Sequence, residues 1–397
     1  MSFCSSRLTN AVWELTLRCN AKCLHCGSSA GVDRKNNLTY EEALQVVHQL
    51  AELKCQFLTL IGGEYFLYPK WKELLAEFQK TSIWISIVTN GLLLTKKNLD
   101  FLIASDVKGV GISLDGSNPK THDYIRQVPG CFRQAVNALQ LSRQARMPTT
   151  AITTINRLNI AELKEIRSLL LQNGIRSWQL QHTNLLGRMQ KKFCIDDFGY
   201  YVIGLFCAQN KRLFSPDQLT IHAMHCMGYY SKTIPDHSIA PVWTGCMAGH
   251  RVLGIRSNGD VLGCLSLYDD KFIEGNIREK PLPELWKDKC FCRWNKRFEK
   301  FKNLDGFCKG YPYSLICLGG CSSFAENQRH CYYEIEKRFD KNPPQSPLEK
   351  VLRDLTRTKM DKQGYIHLPD NQLLSQEYID NSGLDPEHKK MLSLLIP

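Results

Sequence analysis

The stretch Ala11-Val-Trp-Glu-Leu-Thr-Leu17-Arg18-Cys19-Asn-Ala-Lys-Cys23-Leu-His25-Cys26 joins an apolar run to three cysteines. The run reads as a buried strand, and the cysteines follow it at the spacing Cys-x3-Cys-x2-Cys. Three thiolates on a loop leaving a strand can cap three corners of a cubane iron–sulfur cluster, with the fourth iron left free of protein. An open iron at a strand end is a place where a small molecule can bind and exchange an electron. A zinc knuckle or a chance cluster is the alternative, but zinc sites prefer four ligands in two pairs, and no partner pair lies nearby.

Outward from this loop, apolar runs alternate with helical patterns up to about residue 182. The strand candidates are Val12–Leu17, Phe57–Ile61, Ile83–Val88, Val107–Leu114, Thr149–Ile155 and Ser177–His182. Thr39-Tyr-Glu-Glu42 is a capping box that opens a helix through Ala43, Val46, Val47 and Leu50. A second helix is expected from Asn159, with Glu162 three residues on and Leu163, Ile166, Leu169 and Leu170 as its apolar face. Six strand–helix units in series predict a parallel sheet flanked by helices. Six are too few for a closed eight-fold barrel, so the expected fold is α/β, an open (βα)6 partial TIM barrel with its site at the strand C-terminal ends.

A chain of 397 residues, 43% hydrophobic and 23% charged, is long enough for a full core and about two domains. No run of about 18 apolar residues predicts a membrane span. The start, Met1 to Arg7, lacks the apolar core of a signal peptide. Seventeen cysteines without a secretion signal argue for metal or cluster binding in a reducing cytoplasm rather than a disulfide scaffold. The net charge of +12 suits an acidic partner, but the Lys and Arg are spread along the chain, which argues against nucleic acid.

The pattern divides the chain into a barrel over 10–190, bridging helices over 191–243, a cysteine-rich region over 244–335 and a helical tail over 336–397. The bridge contains His222, His225 and Cys226, for which packing or surface roles are favoured over metal binding. Val252–Arg256, Ser257-Asn-Gly-Asp260 and Val261–Cys264 read as strand, turn and strand, Asn-Gly being a strong hairpin signal. Ser346-Pro-Leu-Glu349 and Asp385-Pro-Glu387 are helix starts in the tail.

Three motifs follow the cysteine loop in order. Gly62-Gly63-Glu64 ends the second strand, Thr89-Asn90-Gly91 the third, and Gly111-Ile-Ser113-Leu-Asp115-Gly116 the fourth, with His122 and Arg126 beyond. By themselves they read as tight turns. Together with Cys-x3-Cys-x2-Cys, in which His25 fills the place of an aromatic residue, they resemble the radical S-adenosylmethionine (radical SAM) enzymes. The resemblance implies a 4Fe-4S cluster on Cys19, Cys23 and Cys26. It implies S-adenosylmethionine held by Gly62, Gly63 and Glu64 at its amino group and by Ser113 and Arg126 at its carboxylate, with Asn90 lining the site.

The later cysteines resemble the SPASM auxiliary-cluster domain. Cys246 is followed by twelve residues, Gly259, four residues and Cys264; then come Cys308, Cys317, Cys321 and Cys331. The chain departs from that pattern at Tyr311, where a cysteine is expected. By this analogy Cys246, Cys264 and Cys321 serve one auxiliary cluster, and Cys308, Cys317 and Cys331 a second. Tyr311, Cys290, Cys292, water and substrate are candidates for the fourth ligands, and loss of one auxiliary cluster is the alternative. Cys4, Cys55, Cys131, Cys194 and Cys207 lie in apolar patterns and read as structural.

The opening motif and Cys26-Gly-Ser-Ser-Ala-Gly31 look like the peptide-maturase branch, which includes cyclophane-forming enzymes and spliceases. The implied function is generation of a 5′-deoxyadenosyl radical to modify a ribosomally made precursor peptide, by carbon–carbon cross-linking or by tyramine excision from its backbone. Epimerisation, thioether formation and sulfatase-type oxidation are alternatives, as is a non-catalytic iron–sulfur protein for electron transfer or assembly. The first strand begins about ten residues in, leaving no room before it for a leader-gripping domain, so a separate leader-binding protein and an external electron donor are the expected partners. The helical tail is expected to help dock that partner or to cover the cysteine-rich region. No general acid or base stands out.

Overall fold

The structure, a computed structural model, describes residues 7–223, 230–234, 243–325 and 330–397. Its centre is one ten-stranded sheet. Six parallel strands follow each other in chain order: β1 (Asn10–Glu14), β2 (Phe57–Ile61), β3 (Trp84–Thr89), β4 (Gly109–Ser113), β5 (Thr149–Ile155) and β6 (Ser177–His182). Helices α1 (Tyr40–Glu52), α2 (Trp71–Phe78), α3 (Lys96–Ala104), α4 (Pro119–Arg126), α5 (Cys131–Gln144) and α6 (Leu163–Gln172) make the connections. Right-handed crossovers of this kind leave the strand C-terminal ends and their loops on one rim, where a site can be assembled from distant segments.

The sheet runs beyond six strands at both edges. A further parallel strand, β7 (Thr220–Ala223), pairs with β6, with α7 (Asp197–Leu213) between them. At the other edge β8 (Val252–Ile255) lies parallel to β1, and β9 (Asp260–Leu262) and β10 (Ile273–Asn276) continue antiparallel. The hairpin of the cysteine-rich region is therefore an extension of the barrel sheet. Gly259 turns it at φ +88°, in the left-handed region that glycine enters without strain. Trp13 of β1, 1% exposed, is covered from both sides because its strand is interior to the sheet.

Local chemistry explains most boundaries. Thr39 caps α1 by accepting from Glu42 N, and Glu42 accepts in return from Thr39 N, a reciprocal pair that stabilises by about 1 kcal/mol. The expected helix start at Asn159 is corrected. Residues Ile160–Glu162 form a 3-10 turn and α6 begins at Leu163. The side chain of Asn159 is used elsewhere, donating to the carbonyls of Asp115 and Thr154 and accepting from Asn156 N. Glu162 is likewise engaged, accepting from Ser117 N and Oγ at 2.8 Å.

The tail carries the helices Pro347–Leu355 and Pro386–Ser393, capped by Ser346 and Asp385. It packs on the barrel. Gln209 of α7 donates to Gly364 O and Leu395 O, and Lys164 of α6 to Ser393 O at 2.9 Å. His222 is partly buried on β7; His225, Cys226 and Cys4 lie outside the described residues. No helix among the described residues is long and apolar enough to cross a membrane.

Candidate active site

A cavity of about 400 Å³ opens at the C-terminal rim of the sheet. One wall is the loop after β1, with Cys19, Cys23, His25 and Cys26, together with Gly62, Gly63, Asn90 and Arg126. The opposite wall is Gln181, His182, Thr183 and Asn184 at the end of β6. Cys264, Ser266, Tyr268, Cys321 and Phe324 close it from the cysteine-rich region. The N-terminal cysteines and two of the later ones thus face one chamber.

The loop that carries Cys19, Cys23 and Cys26 is held by distant backbone. Gly63 N donates to Thr16 O at 2.7 Å and Glu64 N to Arg18 O at 2.8 Å. A Cβ on Gly62 would stand 2.7 Å from Thr16 O, and one on Gly63 2.5 Å from Leu17 O. The two glycines are needed so that the loop can pass. Leu24 N donates to Ile125 O at 2.9 Å, and Arg188 donates to the carbonyls of Cys23 (2.9 Å) and Ala30 (2.7 Å). Gly187, at φ +57°, packs so closely on the carbonyls of Cys26 and Gly27 that no side chain fits. Gly187 and Arg188 escaped the sequence reading because no motif marks them.

Asp115 organises the rest. Its carboxylate accepts from His25 Nε2 (2.8 Å), Arg126 Nη2 (2.6 Å) and Thr154 N (2.8 Å), and its own N–H donates to His122 Nδ1 (3.0 Å). Burial would raise this carboxyl, but Arg126 and then His25 outweigh it and hold the group well below the usual carboxylate range. His122 is pushed down to about 4, first by burial and then by Arg126. The sequence reading had Asp115 in view, but as turn chemistry.

Three residues expected to hold S-adenosylmethionine are placed as follows. Arg126 lines the cavity, with its fork bonded to Asp115 and to Cys23 Sγ (3.7 Å). Its buried Nε has no hydrogen-bond partner among the described residues. Glu64, 1% exposed, stands behind the wall, where its carboxylate accepts from Thr89 Oγ1 (2.6 Å) and Asn90 N (2.8 Å), and burial raises its pKa. Ser113 is likewise buried in β4 behind the wall. Asn90 is the residue that does reach the loop: its amide nitrogen donates to Asn20 Oδ1 at 2.7 Å and lies 4.0 Å from Cys19 Sγ.

The later cysteines fall into two neighbourhoods. Burial pushes Cys264 up to about 12, and Cys321 and Cys246 add to the shift. Cys317 and Cys331 are also pushed up to about 12 by burial, and Cys308 raises each further. Tyr311 stands beside the second trio, buried against Tyr333 at 4.9 Å between ring centroids. Its hydroxyl has no hydrogen-bond partner among the described residues, and burial, then Cys331 and Cys317, raises its pKa. Cys290 is exposed. Cys292 is buried at φ +48°, and Cβ atoms on Gly249 and Gly263 would fall 2.5 and 2.6 Å from its sulfur, so the two glycines make room for it. Cys55, Cys131, Cys194 and Cys207 are buried and outside any disulfide.

The donor chemistry fits iron–sulfur clusters. Among the described residues no three His, Cys, Asp or Glu side chains stand close enough to hold one metal ion, whereas Cys19, Cys23, Cys26, Cys264 and Cys321 line one cavity. Thiols raised by burial, such as Cys19 at about 11, are protonated at neutral pH and must release protons as they ligate.

Fold and cavity together define an iron–sulfur radical enzyme. The radical SAM superfamily matches residues 13–170, and the SPASM iron–sulfur cluster-binding domain matches residues 246–310. The chain carries these two domains and is a radical SAM/SPASM enzyme, with iron–sulfur clusters and S-adenosylmethionine as its cofactors. It is 26% identical over 352 residues to the AdoMet-dependent heme synthase of Methanosarcina barkeri, a match spanning 83% of this chain and 99% of that protein. It is 26% identical over 315 residues to the mycofactocin maturase MftC of Mycobacterium tuberculosis, spanning 78% of this chain and 77% of that one. Streptococcus suis SuiB bound to its precursor peptide SuiA superposes with a TM-score of 0.65 at 18% identity, over 80% of this chain and 72% of that one.

Proposed function

We propose that the chain is a peptide maturase that oxidatively modifies a ribosomally made precursor peptide in this cavity, by a carbon–carbon cross-link or by excision of a tyramine unit. In this reading Cys19, Cys23 and Cys26 hold the 4Fe-4S cluster beside S-adenosylmethionine. Cys246, Cys264 and Cys321 hold one auxiliary cluster, and Cys308, Cys317 and Cys331, with the Tyr311 hydroxyl, a second. Together with S-adenosylmethionine, the first cluster supplies a 5′-deoxyadenosyl radical able to take hydrogen from an unactivated carbon.

The observation that carries the reading is the shared chamber: Cys19, Cys23 and Cys26 face it from one side, Cys264 and Cys321 from another. A radical source and a thiolate group suited to electron transfer then meet one substrate, as an oxidative reaction requires. The residues around them position and insulate. Gly62 and Gly63 let the loop close on the strand end, and Asp115 fixes His25 and Arg126. Phe324, Tyr268 and Leu186 give the chamber an apolar lining suited to a peptide side chain. Support also comes from a relative named as a maturase and a structural neighbour bound to a precursor peptide. A separate leader-binding protein and an external electron donor complete the proposal.

A second reading, action on a tetrapyrrole, is favoured by the match over 99% of the heme synthase. The cavity speaks against it. Among the described residues its two arginines, Arg126 and Arg188, are both bonded to protein partners rather than set out in the wall for a tetrapyrrole's carboxylates. The deciding experiment is anaerobic reconstitution with iron and sulfide, then reductant, S-adenosylmethionine, and either a neighbouring-gene precursor peptide or an iron porphyrin. The expected result is a peptide lighter by two hydrogens or by a tyramine unit in the mass spectrum. Turnover of the porphyrin with the peptide unchanged would reverse the assignment.

A further inference from the structure

Lys300 lies in the short helix Arg297–Lys302, with its ammonium turned inward. It donates to Ser322 Oγ at 2.8 Å and to the carbonyl of Gly320 at 3.2 Å, the residues on either side of Cys321. Its strongest charged neighbours are all cysteines: Cys246 and Cys321 from one trio, Cys317 and Cys308 from the other. No carboxylate stands among them. Burial disfavours an ammonium in such a place. Protonated thiols do nothing to offset that cost. Thiolates bound to iron do, because they place negative charge beside the ammonium.

We propose that Lys300 is a positioning residue shared by the two auxiliary cysteine groups, its ammonium raising the reduction potential of the iron–sulfur clusters they hold. The inference rests on the reading of those cysteines as cluster ligands. Its physics is general. A cluster gains one unit of negative charge on reduction, and a fixed cation in a poorly screened site stabilises the reduced form more than the oxidised one. The two Lys300 hydrogen bonds fix where that charge sits, beside Cys321, and its interaction with cysteines of both trios lets one side chain act on both.

The test is a potentiometric titration, read by electron paramagnetic resonance, of the full chain reconstituted anaerobically as wild type, K300M and K300R. The expected result is a shift of the auxiliary signals to more negative potential in K300M. K300R is expected near the wild type, and the N-terminal cluster unmoved in both. An unshifted K300M, or a K300R shifted as far as K300M, overturns the proposal. Iron loss in K300M but not in K300R supports a need for the charge, whereas loss in both shows that side-chain shape decides and overturns it. The wild-type iron count separates the two claims. About four irons per chain means one 4Fe-4S cluster, so the auxiliary reading fails and this proposal falls with it. About eight or twelve with an unshifted K300M sinks the Lys300 proposal alone.

Discussion

The chain has two cysteine regions built in opposite ways. The N-terminal loop is held by the protein: backbone from β2, from the end of α4 and from Arg188 reaches across to fix it. Of the later cysteines, Cys308, Cys317 and Cys321 sit in or beside helices of four residues, Gly306–Lys309, Ser314–Cys317 and Ser322–Ala325. Bonds such as Gly320 N to Cys317 O and Phe324 N to Cys321 O are local. Helices this short are not stable alone. In the proposed reading the first site is shaped largely by the protein, whereas ligation contributes more to the order of the short helices of the second.

The largest expected effect follows from that contrast. Replacing Cys19, Cys23 and Cys26 by serine should bring 5′-deoxyadenosine formation to background while leaving the unfolding midpoint close to the wild type. Replacing Cys308, Cys317 and Cys331 should do the reverse to local order, with amide exchange across 306–325 accelerating by orders of magnitude. Equal loss of protection in both regions for either triple variant would break the distinction.

Asp115→Asn attacks the preformed site from behind. It leaves the buried Arg126 guanidinium without its anion, a loss on the order of 3–5 kcal/mol in denaturant unfolding. The pH dependence carries the same signature. The folded-state pKa of Asp115 is depressed, so its contribution is complete above the unfolded value near 4 and is lost as pH falls below it. An N-terminal loop as protected in D115N as in the wild type would remove Asp115 from the account. Gly63→Ala should cost about 1–3 kcal/mol by forcing Leu17 and Arg18 away, and should slow cluster loading. Gly310→Ala, whose Cβ would meet nothing within 4 Å, is the matched control in the other region.

The same contrast explains what was legible. The apolar runs of β2, β5 and β6 appear at their observed bounds, since each is buried by local composition. The Thr39 box and the Asn258-Gly259 turn were legible because their chemistry is contained in four residues. The attachment of β8 to β1 was not, because pairing of residues some 240 apart leaves no periodic trace. Glu64 and Arg126 were recognisable as members of a motif. Which way each carboxylate or guanidinium points is decided by Thr89, Asn90 and Asp115, which no spacing rule connects to them.

The smallest expected effect concerns the tail and asks which region it serves. His388 bonds Asp385 through Nδ1 (2.6 Å) and Asp196, the N-cap of α7, through Nε2 (3.0 Å). The bond to Asp196, then that to Asp385, raises its pKa to about 9 against the opposing effect of burial. A raised folded-state pKa stabilises fully below the unfolded value of 6.5, and the contribution is lost as pH climbs through 9. Arg157, which faces Asp196 at 3.6 Å and Glu387 at 3.0 Å, retains part of the tether. The net loss between pH 6.5 and 9.5 should therefore be on the order of 1 kcal/mol. It should appear as faster amide exchange over 385–395 and as a slope that His388→Gln removes. Because the tail packs on α6 and α7, the barrel should register this change and the auxiliary cysteines should not. A pH-dependent loss of protection over 306–325 instead would tie the tail to the metal-organised region and undo the division between the two.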